Sequence, residues 1–135
     1  MIWQTKISIP PQSAGWHLIT PLIIRSIPAV PEFGLLNLFI QHTSASLAIS
    51  ENASPDVRTD LFKIFEELVP QNLPYEHTEE GPDDMPAHGK NILAGSTLTV
   101  PIRDHAIALG TWQGIYLAEF RDKAPSRSVI ITVYS

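Results

Sequence analysis

GLLNLFIQH, residues 34–42, is the stretch on which the fold turns. Successive side chains of an extended chain point to opposite faces. Leu36, Leu38 and Ile40 therefore share one side, and Leu35 and Phe39 share the other. Apolar residues on both sides predict a strand covered above and below. His42 falls at its end. Thr43 and Ser44 form a tight polar turn, and residues 45–50 make a second apolar run, expected to lie beside the first as an antiparallel neighbour. Outward from this pair, residues 2–9 alternate as a strand, with Ile7 and Ile9 on one face and Pro10 and Pro11 as its stop. Residues 16–20 suit a short strand or a turn. Residues 22–27 are apolar but too short to separate strand from helix by period. Pro28 and Pro31 mark a loop.

A helix is predicted to begin at Ser54-Pro55. Serine suits the cap, proline the first helical position, and Asp56 the positive end of the helix dipole. Val57, Leu61, Ile64, Phe65 and Leu68 recur at three- and four-residue steps, giving one apolar stripe that Pro70 closes. Residues 71–86 form the longest polar, turn-rich segment, and a loop of that length in a small chain is often functional. A short helix is predicted over residues 88–93, ended by Gly95. Residues 96–100, 112–120 and 128–134 read as strands, with Ile115, Leu117 and Phe120 as core candidates and residues 103–110 as a turn. Strands outnumber helices and do not alternate with long ones. The expected class is therefore α+β, a mixed or antiparallel sheet packed with a few short helices. At 135 residues a single domain spanning residues 1–135 is expected.

Composition excludes several functions. The chain has no cysteine, which removes disulfides, thiolate metal sites and cysteine nucleophiles. Nine Lys and Arg against 14 Asp and Glu give a net charge of -5. No basic run exists, so neither a nucleic acid nor an anionic membrane surface is an expected partner. A small phosphorylated substrate needs only one or two local cations and stays open. Only 17% of residues are charged, low enough to suggest faces buried against other subunits. No apolar stretch is long enough to span a bilayer, and the first residues, MIWQTKISIPPQ, lack a basic segment followed by an apolar one. A cytoplasmic protein is expected.

His42, His77 and His88 are the main chemical candidates: one at a strand end, one in the long loop, one after an acidic pair. Three neutral imidazoles gathered on one rim would suit zinc or another borderline divalent ion, leaving a fourth position for water. Asp83 or Asp84 could ligate or steady a ring. A hydrogen-bonded histidine without a metal is the commoner case, and His17 and His105 have weaker contexts. Ser44, Ser46, Ser96 and Thr97 are hydroxyl candidates, although no GxSxG elbow accompanies them. Asp56 and Asp60 share a helix face near Glu51, a mild like-charge conflict that hints at a partner such as Arg58, a metal or another subunit. GTWQG at residues 110–114 matches neither GxGxxG nor a P-loop. Among Arg103, Arg121 and Arg127, Arg127 is best placed to hold a phosphate, just before the last strand.

Three blocks together closely resemble the YjbQ-like (UPF0047) family: HTSASLAISENASPDVRTDL at residues 42–61, YEHTEEGPDDMPAHGKNILAGSTLTVPI at residues 75–102, and LGTWQGIYLAEFRD at residues 109–122. Gly89 and Ser54 depart from the larger residue and the aspartate usual there. The resemblance implies small α+β chains assembling as homotrimers, with a secondary thiamine-phosphate synthase activity. That reaction joins hydroxymethylpyrimidine diphosphate to thiazole phosphate and releases pyrophosphate. It also carries over His42, His77, Asp84 and His88 as catalytic positions, the histidines holding a divalent metal, zinc or magnesium, or protonating the leaving oxygen. Glu51, Asn52 and Asp60 match family positions as well. Arg127 matches a basic position; with Lys90 and Ser96 it is expected to bind the phosphorylated substrate. Two rival expectations use the same residues: metal-assisted hydrolysis of a small phosphate ester, and a non-enzymatic trimer that binds a small anion or metabolite.

Overall fold

The computed structural model describes residues 1–135. In chain order its elements are β1 (Ile2–Ile9), β2 (Gly15–Leu18), α1 (Thr20–Arg25), β3 (Phe33–Ile40), β4 (Ala45–Glu51), α2 (Pro55–Leu68), α3 (Asp84–Ala94), β5 (Thr97–Arg103), β6 (Ala106–Ile107), β7 (Gln113–Glu119) and β8 (Arg127–Tyr134). The strands form two sheets, ordered β1-β8-β3-β5-β6 and β2-β7-β4. Every pairing is antiparallel. The α+β class holds, with two antiparallel sheets and short helices. No helix is long and apolar enough to cross a membrane.

The inner faces of the two sheets enclose the main core. Leu36, Leu38 and Ile40 of β3 meet Ile115 and Leu117 of β7 and Val129, Ile131 and Val133 of β8, joined by Ile23 of α1. Residues 22–25 of the apolar run thus belong to a helix, with Pro21 in its first turn. On its other face β7 presents Tyr116 and Ala118 to a second apolar layer, where Trp16 and Phe120 meet Leu61 and Phe65 of α2 and Ala87 and Ala94 of α3. Helices α2 and α3 therefore cover the small sheet from outside, giving a sheet–sheet–helix stack.

Several sequence expectations change. The strand buried on both faces is β7, whereas β3 leaves Leu35 and Phe39 46% and 44% exposed. β3 and β4 are not neighbours; the turn at residues 41–44 carries the chain from one sheet to the other, where β4 pairs with β7. The α2 stripe is narrower than predicted, since Ile64 and Leu68 face outward. Ser54 makes no side-chain cap; Glu51 instead accepts the Ala53 N–H at 2.8 Å and the Ser54 N–H at 3.1 Å. Neither Asp56 nor Asp60 has an ion-pair partner in the chain. Residues 103–110 contain a tight hairpin, with Asp104 and His105 at φ 53° and 62°, between β5 and the two-residue β6. Finally, α3 begins at Asp84, four residues before the predicted start. Pro86 is tolerated because the first N–H groups of a helix have no intrahelical acceptor. That earlier start creates the site, since it places Asp84 and His88 one turn apart on one helix.

Candidate metal centre

Asp84 and His88 stand four residues apart on α3 and so share a face. The loop of residues 69–83 returns to the same spot with His77. His77 Nε2 lies 2.7 Å from Asp84 Oδ2, and His88 Nε2 lies 3.0 Å from the same oxygen. The three potential ligand atoms lie within 4.8 Å of one another. Asp84 is buried, His88 partly so, and His77 stands on the rim. The rim opens onto a hollow of about 350 Å³ bordered by Gln71, Tyr75, His77, Thr78, Gly81 and Pro82.

The other carboxylate oxygen of Asp84 has a different task. Arg121 Nη1 donates to Oδ1 at 2.6 Å, and its Nε donates to Asp83 Oδ2 at 3.1 Å. Its Nη2 donates to the Glu80 carbonyl at 3.0 Å, so one guanidinium ties the loop to the start of α3. Burial pushes the Asp84 carboxyl up, but the His77 hydrogen bond and the fields of His88 and Arg121 outweigh it and hold Asp84 below the usual carboxylate range. Asp83 is similarly lowered: burial opposes, while the Asp122 N–H and Arg121 prevail. Both acids are therefore ionised near neutrality, and the same contacts raise the Arg121 pKa against the opposing effect of its own burial.

His88 has a defined orientation. Its Nδ1 lies 2.7 Å from the Thr43 carbonyl, which only accepts, so Nδ1 carries a proton. A neutral ring then has its lone pair on Nε2, facing the Asp84 carboxylate. Two acceptors at 3.0 Å need a cation between them: either a second ring proton or a metal ion. The donor set, two imidazole nitrogens and one carboxylate oxygen with an open side, fits a divalent ion of borderline softness.

The remaining candidates lie elsewhere in the chain. His42 is not in the cluster. Its Nε2 accepts the Ser128 N–H at 2.9 Å, which occupies the lone pair a metal would need. Burial first, then the neighbouring Arg127, holds this ring below the usual histidine range, so it stays neutral and keeps accepting. Arg127 is buried, with Nε and Nη2 on the two oxygens of Glu119 at 2.7 and 2.6 Å. Lys90, also buried, pairs with Glu66 beside the Phe120 ring. Ser96 Oγ accepts from Asn91 at 3.3 Å within a packed polar network. The cations expected to hold phosphate are thus engaged by carboxylates. His17 contacts the Ser13 carbonyl at 2.7 Å and His105 the Val30 carbonyl at 3.1 Å, both away from the cluster.

Glu119 was missed as a partner of Arg127. The signal was present: a lone acid inside the apolar run GIYLAEF must be paired if that run is buried.

Fold and site together define a small two-sheet α+β domain with a His–Asp–His cluster able to coordinate a divalent metal. The chain belongs to the UPF0047 family of YjbQ-like proteins, whose family model matches residues 5–135. It is 43% identical over 135 residues to UPF0047 protein YjbQ of Escherichia coli O157:H7, covering 98% of each chain. It is 48% identical over 101 residues to UPF0047 protein sll1880 of Synechocystis, covering 74% of this chain and 69% of that one. Among solved structures, the conserved hypothetical protein TT1486 of Thermus thermophilus superposes with a TM-score of 0.80 at 31% identity, covering 93% and 97% of the two chains. A YbjQ-like protein of unknown function from Sulfolobus solfataricus shares the fold at a TM-score of 0.86 and 18% identity, with 98% and 96% covered.

Proposed function

We propose that this chain is a metal-dependent enzyme acting on a small phosphorylated molecule. The observation that carries this reading is the convergence of His77, Asp84 and His88 on one point beside an open hollow. The two nitrogen donors favour zinc over magnesium, which prefers oxygen ligands. A bound ion would supply charge neutralisation to phosphate oxygens. The chain's own residues set the geometry: Arg121 holds Asp84 by one oxygen so that the other faces the histidines, and Thr43 orients His88.

Within that class we favour the reaction implied by the resemblance, the joining of hydroxymethylpyrimidine diphosphate to thiazole phosphate. The thiazole nitrogen bonds to the pyrimidine methylene carbon as its bond to diphosphate breaks, and pyrophosphate leaves with the electron pair. Hydrolysis of a small phosphate ester is the second reading. It is favoured by the pairing of Arg127 with Glu119 and of Lys90 with Glu66, which leaves neither cation free for a diphosphate. Assembly as a homotrimer belongs to the same proposal. The outer face of the large sheet, with Phe33, Leu35, Phe39 and Tyr134 exposed among polar residues such as Asn37 and Thr99, offers a surface for a second copy.

The test is incubation of zinc-loaded protein with the two precursors, together and singly. Thiamine phosphate and pyrophosphate formed only from the pair support the synthase reading. Orthophosphate released without the thiazole acceptor supports the hydrolase. Binding without turnover would leave the non-enzymatic trimer.

A further inference from the structure

We propose that His42 is a positioning residue: it anchors the turn at residues 42–44 so that the Thr43 carbonyl holds the Nδ1–H of His88 and leaves Nε2 facing Asp84 and His77. The consequence for metal binding rests on the proposed metal centre; the geometry does not.

Three successive residues of this turn tie it to β8, to α3 and to the end of β7. The His42 ring accepts the Ser128 N–H at 2.9 Å while the neighbouring Gln41 N–H donates to the Ser128 carbonyl at 3.0 Å, so residue 128 of β8 is clamped on both sides. The Thr43 carbonyl takes the Nδ1 proton of His88 on α3 at 2.7 Å. The Ser44 carbonyl accepts the Phe120 N–H at 3.3 Å, just beyond β7, and Nη2 of Arg127 at 3.4 Å. The turn also carries the chain between the two sheets, so no regular ladder holds the Thr43 carbonyl in place.

A neutral imidazole has one proton, and its tautomer follows the hydrogen bond that its other nitrogen makes. With a proton held at Nδ1, Nε2 of His88 faces Asp84 and His77 and would offer its lone pair to an ion bound there. His77 is tied through Nε2 alone and has no such second partner. His88 is therefore the preorganised ligand of the pair. His42, named from sequence as a ligand or proton carrier, acts here through the backbone. Loss of a group that orients a metal-binding histidine typically weakens metal binding by roughly 10–100-fold, and His42 stands one link further out.

The experiment is zinc titration followed by long-range proton–nitrogen NMR of the zinc-loaded protein, with His88→Gln to assign the ring. Wild type is expected to carry the ring proton on Nδ1 in both His42 and His88. His42→Leu is expected to release His88 into mixed tautomers and weaken zinc binding by about tenfold. His42→Gln, whose side-chain carbonyl can accept the Ser128 N–H, is expected to restore both. A wild-type His88 protonated on Nε2 would overturn the proposal, and so would an unchanged His88 spectrum in His42→Leu. Equal loss of zinc in both variants with the His88 tautomer intact would make His42 a ligand and also overturn it. Should His42→Leu fail to fold, His42→Asn, too short to reach the Ser128 N–H, takes its place with the same expected and overturning results. If zinc fails to bind wild type, the functional reading falls, while solvent-exchange protection of the His88 Nδ1 proton in the metal-free protein, expected in wild type and lost in His42→Leu, still judges this one.

Discussion

Asp84 divides its two oxygens between structure and chemistry. Oδ1 belongs to Arg121 and Oδ2 faces the two histidines. Asp83 and Asp84 both titrate below their unfolded value of 3.8. A carboxyl lowered by folding adds stability above its unfolded pKa, and that stability is lost as pH falls through the folded value. The urea midpoint is therefore expected to drop as pH falls below 3.8, and Asp83→Asn with Asp84→Asn to flatten that limb; an unchanged limb in the double variant would contradict the assignment. Glu119 presents the opposite hazard. It is buried against an equally buried guanidinium, so Glu119→Ala leaves the Arg127 charge uncompensated. A loss of about 3–5 kcal/mol is expected by urea unfolding. His77 and Asp84 were legible as candidates because their residue types suit metal chemistry. Arg127 was legible as important but not in its role, because a sequence does not show which carboxylate a buried arginine meets.

At the scale of elements, the turn at residues 41–44 and the start of α3 decide the site. Both escaped sequence reading for physical reasons. Two adjacent apolar runs joined by a short polar turn suggest a hairpin, yet here the turn switches sheets, because β3 and β4 each bury a face against the same core from opposite sides. The start of α3 was hidden by Pro86, which breaks helices everywhere except in the first turn, where it sits. Other elements were plain: β1 from its alternation, α2 from its proline start, and the end of α3 from Gly95, which adopts φ 94°. Strand contact also explains Gly34, where β3 crosses the end of β8. A Cβ there would strike the backbone carbonyl of Tyr134, an atom that cannot swing away. Gly34→Ala is expected to cost about 1–3 kcal/mol, read as a lower thermal midpoint.

On the scale of the whole molecule, the layered stack leaves the outer face of the large sheet uncovered, with Leu35 and Phe39 exposed beside polar Asn37, Thr97 and Thr99. Sequence reading expected β3 to be covered on both sides, and the single chain covers only one. A homotrimer using this sheet would reconcile the low charge content with the exposed Leu35 and Phe39. Leu35→Glu with Phe39→Glu is then expected to yield monomers in light scattering behind size exclusion, with the fold retained by circular dichroism; trimers surviving this pair of charges would move the interface elsewhere. The fold class was recoverable because strand and helix periods are local. The site was only half recoverable, because its assembly depends on where one loop returns. Calorimetric titration of metal-stripped protein with zinc tests the central claim most directly. One ion per chain is expected, with binding abolished in His77→Ala with His88→Ala; zinc binding that survives this double substitution, or no binding by wild type, would contradict it.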